Sequence, residues 1–120
     1  MLAVGTDIVR VSRLDRHASD ELGRFLQRVF TRREIDLSAG RPSSLAGRWA
    51  AKESVLKALG CGIGDVPLTD VEVVPGEDGR PRIHLRDRAA DRARAAGLTD
   101  WQVSISHDGD YAVATVVASG

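Results

Sequence analysis

Apolar residues change their spacing several times along this chain, and each change marks an element. Leu2-Ala-Val-Gly-Thr-Asp-Ile-Val9 is apolar and partly β-branched, which predicts a buried strand ending near Asp7. From about residue 11 the period lengthens to that of a helix. Val11, Leu14, Ala18, Leu22, Phe25 and Val29 share one face; Arg10, Arg13, His17, Arg24 and Arg28 share another, about 100° away. A break at Gly23 would divide this helix and release the arginines from alignment. Thr31 precedes Glu34 by three residues, the spacing of a capping box at the start of a short helix. Ser44 is placed to cap a longer helix over residues 45–59, closed by Gly60 and Gly62.

Beyond Gly62 the pattern is mostly that of strands. Residues 71–74 and 82–85 flank a Pro/Gly-rich stretch and predict a hairpin. Residues 86–96 form a polar, alanine-rich helix ended by Gly97. Residues 101–106 and 111–118 flank His107-Asp-Gly-Asp110, a second hairpin. The sum is an α+β domain: an antiparallel sheet of about five strands packed on one long helix. At 120 residues the chain suits one domain, 1–120, with a core large enough to need no disulfide or metal staple. The single cysteine, Cys61, excludes an intramolecular disulfide framework. No apolar run approaches the roughly 18–20 residues of a membrane span. The start has no basic region of the kind that opens a signal peptide. The expectation is a soluble, cytoplasmic protein.

Charge changes this picture more than composition does. The chain carries 17 basic and 17 acidic side chains, yet residues 1–60 hold 11 basic against 7 acidic and residues 61–120 hold 6 against 10. Fifteen of the basic residues are arginine, and both lysines fall within Lys52-Glu53-Ser-Val-Leu-Lys57. Lysine is a compact, titratable point charge, unlike arginine, so their clustering points to use. Leu45, Trp49, Leu56 and Leu59 make the apolar stripe of this helix, with Lys52 inside it, Glu53 on its edge and Lys57 one turn on. The plain alternative is a Glu53–Lys57 pair at i,i+4 with Lys52 snorkelling to water.

Asp7 follows an apolar strand, so its carboxylate needs a partner. One candidate is the helix after it, as an N-cap. Another is convergence with Glu53 across the domain. One or two carboxylates, completed by waters and substrate phosphates, suit Mg²⁺. Lys57 and Arg48 would then face phosphate oxygens. His107 and Asp108 lie at the last turn, where an exposed polar role competes with a binding one. Three scattered histidines and one cysteine make no zinc pattern. No glycine-rich nucleotide loop is present.

Four stretches taken together carry a resemblance. Val4-Gly-Thr-Asp-Ile-Val9, Phe30-Thr-Arg-Arg-Glu34, Leu45-Ala-Gly-Arg-Trp-Ala-Ala-Lys-Glu-Ser-Val-Leu-Lys-Ala-Leu-Gly60 and Val103-Ser-Ile-Ser-His-Asp-Gly-Asp-Tyr-Ala112 resemble the holo-[acyl-carrier-protein] synthases, the short, single-unit 4′-phosphopantetheinyl transferases. The resemblance implies transfer of 4′-phosphopantetheine from coenzyme A to a serine of a carrier protein, releasing 3′,5′-ADP. It implies Asp7, Glu53 and Lys57 as catalytic residues, with Asp7 and Glu53 holding Mg²⁺. Glu53, or a water poised by it at the metal, accepts the serine proton, and the residues leave that choice open. Arg48, Lys57, Gly60, His107 and Asp108 fall on the coenzyme A side. Arg13, joined by helical spacing to Arg24 and Arg28, falls on the carrier side, suiting the acidic surface of acyl carrier proteins. A single unit further implies self-association, as a homotrimer with sites between subunits.

Two positions depart from the family pattern: Thr6 stands where an aliphatic residue is usual and Trp49 where phenylalanine is usual. The stretch after His107 is variable. The client carrier, whether of fatty-acid, polyketide or peptide synthesis, stays open. A non-catalytic module binding coenzyme A or a carrier would have no need of Asp7, Glu53 and Lys57 together, and all three are present. Zero net charge and the lack of interleaved aromatics argue against nucleic acid.

Overall fold

The computed structural model describes residues 1–15, 19–62 and 64–120. Its elements run β1 (Leu2–Arg10), a 3₁₀ turn (Val11–Asp15), α1 (Ser19–Val29), α2 (Arg32–Ser38), α3 (Pro42–Leu59), a second 3₁₀ turn (Leu68–Asp70), β2 (Val71–Pro75), β3 (Pro81–Leu85), α4 (Asp87–Ala95), β4 (Asp100–Asp108) and β5 (Tyr111–Ser119). The α+β class, the five antiparallel strands and the long helix agree with the sequence. Hydrogen bonding divides the strands into a three-stranded sheet, β1-β5-β4, and the β2-β3 hairpin. Strands β3 and β4 pack side by side without sharing a ladder. Among the described residues, no helix is long and apolar enough to cross a membrane.

Helix α3 lies on the inner face of the larger sheet, and small residues let it come close. The inner face of β5 is Ala112, Ala114, Val116 and Ala118, all fully buried against a helix whose Ala46, Ala50 and Ala51 are equally buried. At Gly5 of β1 a side chain is excluded outright, since a Cβ there would stand 1.8 Å from the Ser54 carbonyl oxygen. Ser54 fills the same contact by donating its hydroxyl to Ala50 and Ala114 carbonyls. The β2-β3 hairpin and α2 close over the rest of α3, so ten of its eighteen residues are buried. The expected one-sided stripe is therefore too narrow a description: α3 is a central helix, enclosed on most sides.

Several local expectations are corrected. Strand β1 does not end at Asp7 but continues to Arg10. Helix α1 runs through Gly23, where a Cβ would meet nothing, and the arginines separate instead because Arg13 belongs to the 3₁₀ turn. Helix α3 begins at Pro42 with Arg41 as its cap residue, a turn earlier than Ser44. Proline opens it well because its fixed φ suits the first helical position and its missing N–H is no loss there. Ser44 instead turns its hydroxyl to Ser38 and Arg48. Two predicted caps hold. Thr31 and Glu34 form a full capping box, and Gly60 ends α3 at φ 71°. His17 lies outside the described residues.

Candidate active site

Alternation along β1 decides the position of Asp7. Gly5, Asp7 and Val9 face α3, while Thr6 and Ile8 face outward. Asp7 is thus a mid-strand residue at the rim of the helix packing, and its carboxylate caps nothing. It accepts a bond from the Lys57 ammonium at 3.0 Å, and the same ammonium donates to the Thr6 carbonyl at 3.0 Å. Lys57 therefore crosses from α3 to β1, in place of the i,i+4 pair with Glu53.

Glu53, one turn before Lys57 on α3, is half-buried in the same cleft. Asp7, Arg13, Trp49, Glu53, Lys57 and Cys61 are among the residues that line this cavity of about 490 Å³. Burial pushes the Glu53 carboxyl above its ordinary range, and the negative charge of Asp7 pushes it the same way. The Trp49 indole N–H, Lys57 and Arg13 oppose that rise. Two carboxylates that repel each other across an open cleft, with cations beside them, are donors that would suit a hard divalent cation and phosphate oxygens. A group of three or more acidic, histidine or cysteine ligands does not occur among the described residues, so waters and substrate would complete the coordination.

A second cavity, of about 400 Å³, opens where β3 and β4 fail to share a ladder. Ser44, Gly47, Arg48, Pro75, Arg80 and His107 are among its walls. Arg48 is half-buried and tied by donation to the Val73 carbonyl at 3.0 Å and to the Ser38 and Ser44 hydroxyls. Desolvation lowers its pKa, which the charge of Glu34 opposes. Arginine remains a cation under such a shift. The His107 Nε2 lies 2.8 Å from the Ser43 carbonyl oxygen. It can pack this closely because position 47 is glycine: a Cβ there would stand 3.1 Å from that nitrogen.

The structure thus brings Asp7, Glu53, Lys57 and Arg13 together, and Arg48 and His107 together, but it does not join the two groups within one chain. The cavities share no lining residue. Arg48 and Glu53, five residues apart on α3, point about 140° apart around its axis. Gly60 and Asp108 line neither cavity, although Cys61 and Gly62, next to Gly60, line the first. Arg24 and Arg28 stand exposed, one turn apart on α1.

Three features escape sequence reasoning. Lys52 does not snorkel; it is wholly buried and paired with Glu34 at 2.6 Å. Asp110 clamps the first 3₁₀ turn by accepting from the Ser12 N–H and hydroxyl. The Arg13 guanidinium carbon lies over the Trp49 ring. A lysine inside an apolar stripe was the available signal for the first; the other two have none.

A cleft with two carboxylates beside a basic cavity, both built on one enclosed helix, has the chemistry of a site for a phosphorylated substrate. Comparison with known proteins makes this specific. The profile of the 4′-phosphopantetheinyl transferase superfamily matches residues 3–116. The holo-[acyl-carrier-protein] synthase of Gloeobacter violaceus is 45% identical over 121 residues, covering 98% of this chain and 92% of that protein. That of Moorella thermoacetica is 44% identical, covering 98% and 93%. The crystal structure of the Helicobacter pylori synthase in complex with coenzyme A superposes with a TM-score of 0.86 at 32% identity, over 97% of this chain and 99% of that one. The chain belongs to the 4′-phosphopantetheinyl transferase superfamily, and within it to the holo-[acyl-carrier-protein] synthases.

Proposed function

We propose that this protein transfers the 4′-phosphopantetheine group of coenzyme A to a serine hydroxyl of an acyl carrier protein, releasing 3′,5′-ADP. The observation that carries this reading is the meeting of Asp7 from β1 with Glu53 and Lys57 from α3 in one cleft. The serine oxygen forms a bond to the β-phosphorus of coenzyme A, and the bond from that phosphorus to the bridging oxygen breaks. The electron pair leaves on the 5′-phosphate of 3′,5′-ADP. Asp7 and Glu53 would hold Mg²⁺, which when bound supplies positive charge to the diphosphate. Lys57, more than half exposed and pinned beside Asp7, is placed to offset charge on the leaving phosphate. Glu53, with a carboxyl whose proton affinity is raised by burial, suits the proton of the attacking serine, directly or through a water.

Arg48 and His107 would hold the coenzyme's phosphates, with Gly60 and Asp108 at the margins of its path. Their separation from the cleft is the reason to propose sites built between subunits of a homotrimer. The outer face of the larger sheet supports self-association: Leu2, Val4 and Ile8 of β1 are 58–68% exposed, and Val4 lies opposite the exposed Val117 of β5. Arg13, Arg24 and Arg28 would meet the acidic surface of the carrier, such as that of fatty-acid synthesis. The reading places this single transferase unit in the cytoplasm with its substrates.

Intact mass spectrometry of an apo acyl carrier protein incubated with this protein, coenzyme A and Mg²⁺ tests the proposal. A gain of one phosphopantetheine group, abolished by EDTA and by Glu53→Gln, is the expected result. Coenzyme A binding without any gain on fatty-acid, polyketide or peptide carriers would instead make this a binding module.

A further inference from the structure

Trp49 stands one turn before Glu53 on α3, in the wall of the carboxylate cleft, and is only 8% exposed. The Arg13 guanidinium carbon lies 4.4 Å from the centroid of its ring. Phe25 of α1 meets the same ring edge-on, with centroids 4.9 Å apart and planes at 69°. A cation this close to an indole is attracted by the ring quadrupole, and tryptophan is the strongest of the aromatic platforms. An exposed arginine on a short turn would otherwise sample many rotamers, and that freedom would be lost on binding.

Arg13 is restrained at both ends. Its turn is anchored at the base, where the Ser12 N–H and hydroxyl donate to the two Asp110 carboxylate oxygens at 3.0 and 2.6 Å. The Val11 N–H adds a bond of 2.8 Å to the Asp110 carbonyl. Its side chain is held at the tip by Trp49. Stacking uses the face of a guanidinium and leaves its edge of N–H donors free. Among the described residues no carboxylate pairs with Arg13 within 4 Å, so its N–H donors are available to a partner. Arg24 and Arg28 have no ring contact or ion pair of their own among the described residues.

We propose that Trp49 is a positioning residue for partner recognition: its ring presents the Arg13 guanidinium to an acidic side chain of the protein that enters the Asp7–Glu53 cleft. This rests on the carrier-modifying reading above. Trp49 acts on the partner through Arg13. Its indole N–H also bears on Glu53, and a loss there would appear in kcat and not in a carrier KM that depends on Arg13.

A double-mutant cycle tests this. Trp49→Leu is expected to raise the KM for the carrier roughly three- to ten-fold, the range set by one cation–π contact. Trp49→Phe, which keeps a ring and the packing against Phe25, should give a smaller rise and serves as the probe should the leucine variant fail to fold. In an Arg13→Gln background neither replacement should raise carrier KM further, and the KM for coenzyme A should stay unchanged throughout. In a Trp101→Phe background, which leaves Trp49 the one indole, Arg13→Gln should also increase acrylamide quenching of Trp49. Equal effects of the Trp49 variants with and without Arg13, an equal rise in coenzyme A KM, or unchanged quenching would each overturn the proposal while leaving the transferase reading intact. A wild-type protein that modifies no carrier would overturn both.

Discussion

The Lys52 ammonium lies 2.6 Å from the Glu34 carboxylate, and both side chains are completely removed from water. Lys52 also donates to the Leu68 carbonyl at 3.0 Å and to the Val71 carbonyl. Glu34 accepts from the Thr31 N–H at 2.9 Å and, through its other oxygen, from the Val73 N–H at 2.8 Å. One ion pair therefore ties α2, α3, the second 3₁₀ turn and β2 together, directly beside Glu53 in the chain. Burial pulls the Lys52 amine below its ordinary pKa, and Glu34 restores part of the difference.

Removing one partner leaves the other buried and uncompensated. Lys52→Met or Glu34→Gln alone should destabilise the fold by about 3–5 kcal/mol, whereas the two together should cost far less than the sum, because no buried charge is left unpaired. Urea denaturation of the two single variants and the Lys52→Met/Glu34→Gln double variant measures this. Additive losses would show that the pair is not a unit.

Glu53 works in the opposite direction. Its carboxyl binds a proton more tightly in the fold than in the unfolded chain, because burial and Asp7 raise its pKa. Between the ordinary carboxylate value and the raised one the folded state carries more protons, so stability falls as pH rises through that window. Glu53→Gln should therefore raise Tm at neutral pH in metal-free buffer while abolishing transfer, and the gain should vanish below the ordinary carboxylate range. Calorimetry at both pH values reads this, and a lower Tm for the variant at neutral pH would refute it. Such a trade of stability for function is common at reactive sites.

Gly47→Ala should separate the two cavities functionally. The added methyl would stand 3.0 Å from Ile105 Cγ2 and 3.1 Å from His107 Nε2, so the histidine must shift by a few tenths of an ångström, which strains its contact with the Ser43 carbonyl. The expected outcome is a several-fold higher KM for coenzyme A, an unchanged KM for the carrier and a modest loss of Tm. A rise confined to the carrier KM would reverse the assignment of the cavities.

Complementation tests the sharing of sites. Arg48→Ala/His107→Ala and Glu53→Gln chains should each be inactive as homo-oligomers. Co-expressed, they should regain a fraction of wild-type activity, since some mixed assemblies hold one intact pair of cavities. Val4→Glu, which puts a charge on the outer sheet face, should give a monomer by light scattering and no activity. Inactive mixtures would place the whole reaction on one chain.

Elements whose determinants lie within a turn or two of chain were legible in advance. The Thr31–Glu34 box is a contact between residues three apart, and Gly60 ends α3 because glycine accepts a positive φ without a Cβ penalty. Both hairpins announce themselves by turn residues between β-rich runs. Asp7, Glu53 and Lys57 could also be picked out by type and spacing, since charges at the margin of an apolar stripe need a reason to be there, and packing brings all three to one cleft. The local reading of each nominee nonetheless went astray where a distant partner competed. Lys57 had Glu53 at i+4 spacing, yet it pairs with Asp7, fifty residues away, because alternation along β1 turns that carboxylate towards α3.

What only the tertiary structure decided was which local option each of these groups takes. Glu34 makes its cap, as the sequence required, and then spends its remaining capacity on Lys52 and the Val73 N–H, both brought to it by packing. Asp110 reaches Ser12 across 98 residues, and Arg13 finds the Trp49 ring across 36. Sequence alone determines hydrophobic period, caps, turns and the inventory of reactive groups, because those depend on neighbours along the chain. Pairing between strand and helix, the gap between the two sheets and the division of the site into two cavities depend on how α3 is enclosed. That enclosure exists only once residues far apart in sequence share one core.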